Sequence, residues 1–365
     1  MSNQFRDLLR KVGSGTHTNQ KLSRSEAADA MGMMLRQEAT PAQIGAFLIA
    51  HRIRRPTGEE LAGMLDAYTE LGCQLKPIPL PPFVLGSPYD GRSRTAPVSP
   101  LTGLILAAAG VPTILHGGDQ MPTKEGVPLI TLWQGLGVNW QNLTLEQVQS
   151  VLEMTNLGFI YLPHHFPLAE GLVPYRREIG KRPPVATLEL IWIPYSGEAT
   201  LACGYVHPPT ESMIRDALQR RQVEHYITVK GLEGSCDLPR DRTCIIGVHH
   251  PVGVSAEGSN SETSDPPENF ERLLLHPSDY GFGGKEVPLE SAAALIHDLR
   301  KVIAGEAGEL MQAVIWNGGF YLWQAGACSD LASGLSKAEL LIMSGQVATQ
   351  LETLQQAVDL KSDSY

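Results

Sequence analysis

The sequence predicts an α/β protein in which a small all-helical domain precedes a larger α/β domain, whose mostly parallel central sheet is flanked by helices. Three observations lead to this prediction. Helix-start signals follow one another closely in the first quarter of the 365 residues, a proline-rich stretch then interrupts them, and short apolar segments alternate with helical ones beyond it. We place the helical domain at residues 1–75 and the α/β domain at residues 76–365.

Closely spaced helix starts define the first domain. Ser23 and Glu26 form an S-x-x-E capping box ahead of apolar residues at helical spacing, and Thr57 and Glu60 form a second one. Between them a Thr-Pro pair at 40–41 opens another helix, because proline suits the first helical position. Three short helices with such short connections predict a compact helical domain.

After the proline-rich linker Lys76–Pro82, β and α patterns alternate. Helices are predicted at Val98–Ala109 and Thr210–Arg221. Strands are predicted at Phe83–Gly86, Val111–Leu115, Thr200–Val206, Tyr226–Val229 and Ile245–Val248. This alternation is typical of a largely parallel sheet. The stretch Pro251–Pro288 is loop-like and too long for a simple connection, so we expect it to be functional or mobile.

The composition predicts a globular intracellular protein. Hydrophobic residues make up 42%, enough for a sizeable core. There is no run of about 18 apolar residues and no apolar signal core at the N-terminus, so we expect a cytoplasmic protein with no membrane partner. The 5 cysteines are widely spaced and form no CxxC pair, which predicts reduced thiols. A net charge of -10 predicts long-range repulsion of nucleic acid, although a local basic groove stays compatible with it.

Several segments resemble the anthranilate phosphoribosyltransferase family along almost the whole chain. E-A-T-P-A-Q-I-G-A-F-L is the closest match, and G-V-P-T-I-L-H-G-G, V-P-Y-R-R-E-I-G-K-R, H-P-S-D-Y-G-F and I-W-N-G-G-F-Y-L-W-Q-A-G extend it. The resemblance implies a glycosyltransferase family 3 architecture with the active cleft between a small helical domain, joined by about residues 163–182, and the α/β domain. It also implies a homodimer through the small domain, and the joining of anthranilate to phosphoribosyl diphosphate with magnesium.

The family's glycine-rich diphosphate loop, G-T-G-G-D-G, aligns with residues 86–91. The candidate substrate-binding residues here are Gly86, Ser87, Asp90 and Gly91. Pro88 removes one amide donor, and Tyr89 adds bulk where the backbone should approach the ligand. An ordinary strand-to-helix turn is therefore the alternative to a ligand cradle.

Two further family motifs have changed. N-I-S-T becomes Ala96–Ser99, where the hydroxyl of Ser99 either contacts an anion or belongs to an ordinary helix start. K-H-G-N-R becomes Leu115–Asp119, in which His116 and Gly117 remain as substrate-binding candidates and two positive charges are lost. One charge pair at about 4 Å is worth roughly 4 kcal/mol at an effective dielectric constant of about 20. The parent reaction should therefore be impaired.

The family's acidic metal motif, H-G-x-D-G-L-D-E, becomes a segment that begins at Lys230. Glu233 and Asp237 are the remaining carboxylates that could hold magnesium, and a solvated acidic turn is the alternative. Lys230 is a new cation here, which either contacts a phosphate or ends a strand. These changes predict that magnesium binding is weak or absent.

The best preserved segment carries Arg176, which falls on the family's arginine that faces anthranilate. Arg177, Lys181 and Arg182 surround it and form either an anion or nucleic-acid patch or a solvated helix face. The family's acceptor segment, F-N-x-L-G-P-L-x-N-P, is replaced by the apolar Val185–Pro194.

Three functions follow. The first is a family member with degenerate motifs that binds a phosphorylated or anionic ligand in the cleft. The second is an active phosphoribosyl- or glycosyltransferase with altered substrates. The third is a single-stranded nucleic-acid-binding protein, as in a divergent branch of the family that this chain resembles. Basic residues beside Tyr161, Phe166 and Tyr175 support the third.

Overall fold

A computed structural model describes residues 3–15, 17–250 and 269–362. Four helices form the N-terminal bundle: α1 (Asn3–Gly13), α2 (Arg24–Leu35), α3 (Pro41–Arg54) and α4 (Gly58–Leu71). The capping boxes predicted at the starts of α2 and α4 are confirmed, and Gln43 completes a third box at the start of α3. Helix α1 was not predicted, because its polar sequence hides an apolar stripe of Phe5, Leu8 and Val12 that is buried.

Seven strands form one sheet in the order β3-β2-β1-β4-β5-β6-β7. The strands are β1 (Phe83–Leu85), β2 (Thr113–Gly117), β3 (Leu157–Tyr161), β4 (Thr200–Gly204), β5 (Tyr226–Val229), β6 (Cys244–His249) and β7 (Phe270–Leu275). The pairs among β1 to β5 are parallel, whereas β6 and β7 pair antiparallel. The predicted fold class, a small helical domain and a larger α/β domain with a mostly parallel sheet, is confirmed.

Helices cover this sheet on both sides. They are α5 (Ser99–Ala108), α6 (Leu129–Gly135), α7 (Leu145–Thr155), α8 (Leu162–His165), α9 (Pro167–Glu170), α10 (Val173–Ile179), α11 (Val185–Ile191), α12 (Pro208–Arg220), α13 (Ala292–Ile303), α14 (Glu309–Gln324), α15 (Leu331–Met343) and α16 (Gln346–Ser362). Short 3₁₀ turns lie at Leu232–Gly234 and Pro277–Tyr280.

One sequence prediction was partly wrong. Part of the stretch called loop-like is strand β7, and residues 251–268 of it lie outside the described part of the chain. β7 is an edge strand whose residues are half-buried or exposed, so it lacks the apolar signature of the inner strands. Strand β3 was also missed. All five cysteines are free thiols, and among the described residues no helix combines the length and apolar character needed to cross a bilayer.

An ion-pair cluster joins the helical bundle to the α/β domain at the side of α12. The Asp66 carboxylate on α4 accepts hydrogen bonds from Arg24 Nε at 2.6 Å and Nη2 at 2.9 Å, and it also pairs with Arg221. A second set of contacts joins α3 to the segment that follows α10, where Arg52 Nε donates to the Arg182 carbonyl at 2.8 Å. Both sets of contacts join the helical bundle to the α/β domain. The boundary at residue 75 and the contribution of 163–182 stay predictions.

Candidate functional site

The loops after β1, β2 and β5 meet at the carboxyl end of the sheet, where open α/β sheets usually bind ligands. Gly86 follows β1 there, and its amide donates to the Ala202 carbonyl at 2.8 Å. A Cβ at Gly86 would lie 2.2 Å from the Leu190 carbonyl oxygen, so no larger residue fits. Gly91 has a φ of 72°, which favours glycine. Both glycines are therefore required by packing and turn geometry.

Tyr89 and His116 fill the space above the sheet. Both side chains are buried, and the Tyr89 hydroxyl shares a hydrogen bond of 2.5 Å with His116 Nδ1. The Trp192 ring packs edge-on against His116. Burial lowers the pKa of His116 to about 3 and raises the pKa of Tyr89 well above its ordinary value. His116 is thus a neutral core residue at physiological pH.

We expect acid to destabilise the fold partly through His116. An unfolded histidine has a pKa of about 6.5, whereas folded His116 has a pKa of about 3. Between these values the unfolded chain binds a proton that the folded chain excludes, so the free energy of unfolding falls as pH falls. His116→Gln keeps a hydrogen-bonding group without a titration. Urea denaturation between about pH 4.5 and pH 6.5 should give a flatter pH dependence for the variant than for wild type.

The variant must be compared with wild type because the titration of Glu170 changes the free energy of unfolding in the opposite direction to that of His116. Burial, followed by the nearby Asp119, raises the pKa of Glu170 to about 7. The folded chain then binds a proton more readily than the unfolded chain between about pH 4.3 and 7, so this group favours folding as pH falls. Identical slopes for wild type and His116→Gln would contradict the role given to His116.

A buried arginine that the sequence analysis did not single out lies at the centre of the site. Arg92 is 2% exposed, and its guanidinium donates to the Asp237 carboxylate and to Thr95 Oγ1. Arg92 Nε lies 3.9 Å from Glu233 Oε1 and has no hydrogen-bond partner among the described residues. Burial lowers the pKa of Arg92, and the two carboxylates oppose that effect. The guanidinium therefore serves as an internal cation for both acids.

The Glu233 carboxylate closes the loop of residues 93–95. It accepts hydrogen bonds from the three backbone amides of that loop at 3.0–3.2 Å and from the Ser93 and Thr95 hydroxyls. Burial alone would raise the pKa of Glu233, but these bonds outweigh it and lower the pKa to about 2. Glu233 is therefore an ionised group that holds a loop in place.

Asp237 makes a similar connection to the start of α5. Its carboxylate accepts from Ser99 Oγ at 2.7 Å and from the Val98 amide at 3.0 Å, in addition to Arg92. The predicted magnesium site at Glu233 and Asp237 stays a prediction, and the geometry disfavours it because protein donors use the carboxylate oxygens. The described residues contain no group of three or more metal-binding side chains.

Arg176 is also paired within the chain. It is 2% exposed, and its Nη1 donates to the carboxylate of Glu189 on α11, which is itself buried. Burial raises the pKa of Glu189, and Arg176 opposes this. Arg176 Nε, Arg176 Nη2 and Glu189 Oε2 have no hydrogen-bond partner among the described residues. Glu189 lies within the apolar segment that replaces the family's acceptor motif, so an internal carboxylate now meets this arginine.

The two charges lost at Leu115 and Asp119 do not leave the site without cations. Leu115 belongs to the core and lies against α5, where a Cβ on Gly103 would be 3.0 Å from its Cδ1. Asp119 accepts a hydrogen bond of 2.9 Å from Tyr161. Other cations reach the site instead, and each faces an acid: Arg92 with Asp237, Lys124 with Glu233 at 3.8 Å, and Arg182 with Asp90 at 3.9 Å. The site thus contains cations, but their charges are balanced internally.

Little free space remains where the family motifs converge. The cavity lined by Ser87, Gly91, Arg92, Ser99 and Ser235 has a volume of about 10 Å³, room for about one water molecule. Ser87 Oγ and both Asp90 carboxylate oxygens are buried without a hydrogen-bond partner among the described residues. Gly117 ends β2 and Lys230 follows β5 at the same end of the sheet, and Lys230 is half-buried.

The predicted basic patch is divided. Arg177 and Lys181 are exposed, whereas Arg182 is half-buried and turns towards Asp90. Tyr161 and Phe166, which were expected to offer stacking faces, are buried.

A much larger pocket opens beside this site, between α3 of the helical bundle and the α11 and α12 helices. Its volume is about 680 Å³. Arg52 and Arg55 line it from the bundle, and Arg182, Tyr205 and His207 line it from the α/β domain. Sequence reasoning missed Arg52 and Arg55, because basic residues are ordinary at a helix C-terminus. We call this space the arginine pocket.

A helical bundle ahead of an α/β domain, with loops from both around one cleft, defines a class of glycosyl transferases. The family model described as the helical bundle domain of the glycosyl transferase family matches residues 6–72, and the model of its a/b domain matches residues 90–348. The chain belongs to this family. Within it the chain is a member of the anthranilate phosphoribosyltransferase family, as the sequence motifs predicted.

Two curated relatives are similar to this chain over most of its length, but at low sequence identity. The anthranilate phosphoribosyltransferase of Paracidovorax citrulli is 26% identical over 93% of this chain and 94% of its own length, and that of Aromatoleum aromaticum is 28% identical over 90% and 91%. Two solved structures share the fold. The Thermus thermophilus enzyme has a TM-score of 0.74 at 23% identity, covering 98% of this chain and 100% of its own. The Saccharomyces cerevisiae enzyme in complex with PRPP and Mg has a TM-score of 0.81 at 16% identity, covering 99% of each chain.

Proposed function

We propose that this chain is an anthranilate phosphoribosyltransferase-like protein that binds an anionic ligand between its two domains and does not transfer phosphoribosyl groups. The observation that carries the proposal is the filled site at the carboxyl end of the sheet. A cavity of about 10 Å³ is far too small for a sugar that carries a diphosphate and a further phosphate.

Side chains of the chain itself already pair with the groups that would otherwise bind ligands, which also supports the proposal. The Glu189 carboxylate pairs with Arg176, the arginine that by resemblance faces anthranilate, and the Arg92 guanidinium pairs with the candidate metal carboxylate Asp237. A transferase must hold its charged substrates with groups that remain free to bind them. Here those groups are buried and already paired.

The two alternatives have less support. A transferase with altered substrates would need Arg92, Tyr89 and Glu189 to leave the site together. Binding of single-stranded nucleic acid would rest on Arg177 and Lys181 without Tyr161 and Phe166, because these rings are buried. Magnesium binding and the homodimer through the helical domain are proposals that rest on the resemblance.

We expect no phosphoribosylanthranilate above a protein-free control when the purified protein is incubated with anthranilate, phosphoribosyl diphosphate and Mg²⁺. Chromatography of the reaction mixture measures the product, with the Saccharomyces cerevisiae enzyme as the positive control. Calorimetric titration with phosphoribosyl diphosphate, with and without Mg²⁺, should give no magnesium-dependent heat. Product that accumulates in proportion to protein concentration would overturn the proposal.

A further inference from the structure

We infer that the arginine pocket is the ligand site, and that its ligand is a phosphate ester with a flat apolar body. This inference deepens the proposed function, on which it rests for the absence of transfer chemistry. The pocket is separate from the cavity where the family motifs converge, and no residue lines both.

The arginine pocket is lined by positive charge, which indicates an anionic ligand. Three guanidinium groups line it, and the lining contains no aspartate or glutamate. Arg52 and Arg55 have no ion-pair partner among the described residues, and the nearest acid to Arg182 is Asp90 at 3.9 Å. Arg52 and Arg55 are exposed at this pocket. A cluster of positive charges on a protein with a net charge of -10 produces a local field that attracts anions. A ligand with two negative charges would relieve the repulsion among these arginines.

Arg52 is also held in position, as a binding site requires. Arg52 Nε donates to the Arg182 carbonyl at 2.8 Å, which ties the bundle side of the pocket to the α/β side and leaves both Arg52 Nη atoms for a ligand. Arg55 follows α3 with a φ of 65°, a conformation that costs a non-glycine residue on the order of 1–3 kcal/mol. Such a cost is common at ligand-binding positions. Arginine forks are well suited to a phosphate group.

The size of the pocket and the residues that line it indicate the part of the ligand other than the phosphate. A volume of about 680 Å³ lies within the usual range of small-molecule sites, about 300–1,000 Å³, and an inorganic anion would leave most of it empty. Leu190, Met213 and Pro183 give the pocket an apolar wall, and Val206 is 45% exposed at its rim. Thr187 and Thr210 offer hydroxyls for polar edges. An aromatic ring joined to a phosphate matches this division between charged and apolar sides.

The test uses probes that separate the two parts of the ligand. Adenosine 5′-monophosphate, ribose 5-phosphate, adenosine and inorganic phosphate are titrated into the full chain by calorimetry at low salt. We expect adenosine 5′-monophosphate to bind more tightly than the other three. Arg52→Ala and Arg55→Ala should each weaken its binding by about tenfold or more, the usual loss of a charge-assisted hydrogen bond. Met213→Ala should weaken adenosine 5′-monophosphate but not ribose 5-phosphate.

Arg10→Ala provides the matched control, because Arg10 is an exposed arginine on α1 that does not line the pocket. Thermal melting of each variant without ligand checks that the fold is intact. Arginines that merely stabilise the end of α3 would change the melting temperature and leave binding unchanged, and this result would overturn the inference. Absence of binding by all four probes would also overturn it. Phosphoribosylanthranilate formation would refute the proposed function instead, so the two failures are distinguishable.

Discussion

Arg92→Ala is expected to lower the free energy of unfolding by about 3–5 kcal/mol, the cost of leaving buried charges without their partner. Arg92 is 2% exposed and is the cation that faces both Asp237 and Glu233 inside the site. Its removal leaves Asp237 with backbone and hydroxyl donors only, and it opens a cavity where the guanidinium was. Glu233 keeps its loop donors, with Lys124 and Arg94 at 3.8 Å. Urea denaturation at neutral pH measures the change.

Arg94→Ala is the control for this substitution. Arg94 lies two residues away and faces the same Glu233 at 3.8 Å, but its side chain is 79% exposed. Exposed ion pairs contribute little, so the free energy of unfolding should change by less than about 1 kcal/mol. Equal effects of the two substitutions would show that burial of Arg92 does not matter, contrary to our expectation.

Arg92→Ala also tests the role of the Arg92 guanidinium as an internal cation. Without it, Asp237 loses its cationic partner and Glu233 loses a nearby cation, so the two carboxylates form a more negative site, which suits a hard divalent cation. Millimolar Mg²⁺ should raise the melting temperature of Arg92→Ala and leave that of wild type unchanged. Adding Asp237→Asn to the variant should abolish the rise. A magnesium-dependent rise in wild type would show instead that the original prediction of a metal at these residues was right.

Sequence patterns predicted the helical bundle and the parallel part of the sheet because those signals are local. Ser23 with Glu26, and Thr57 with Glu60, satisfy backbone groups a few residues away, so the sequence alone carries the information. Edge strand β7 was missed for the opposite reason. Its half-exposed residues gain their role only through pairing with β6, and no apolar run announces that pairing.

The candidate site was predictable only in part. Aligning the motifs located Gly86, Asp90 and Ser99 at the carboxyl end of the sheet. Sequence alone could not reveal Arg92 or Glu189 as partners, because each pairs with a residue that folding brings close: Asp237 is 145 positions from Arg92 along the chain. Counting lost charges overstated the effect of Leu115, since other cations enter the site and are neutralised there. Charge balance in a cleft depends on contacts that a motif does not record.

Glu189→Ala is expected to lower the free energy of unfolding by about 3–5 kcal/mol, because it leaves the Arg176 guanidinium buried without a counter-ion. Arg176 is 2% exposed and Glu189 is 3% exposed, so water cannot replace the lost partner. Glu178→Ala, an exposed acid on the same helix as Arg176, serves as the control and should stay within about 0.5 kcal/mol of wild type. The double substitution Arg176→Met with Glu189→Leu removes both charges and should recover most of the loss. A double variant as unstable as Glu189→Ala would contradict the electrostatic cause.

The space left by the Glu189 carboxylate can also be tested with added ligands. In Glu189→Ala, Arg176 keeps a fork of donors beside a cavity of carboxylate size, and by resemblance this arginine falls on the one that faces anthranilate in the family. Formate, acetate and other small carboxylates, which match a cavity of this size, should therefore raise the melting temperature of Glu189→Ala, by mass action on the native state, and leave that of wild type unchanged. The Arg176→Met, Glu189→Leu variant should respond to none of them. A rise in wild type with anthranilate would mean that Glu189 yields its place beside Arg176 to an added acid, and this would contradict a fixed pairing of the two side chains.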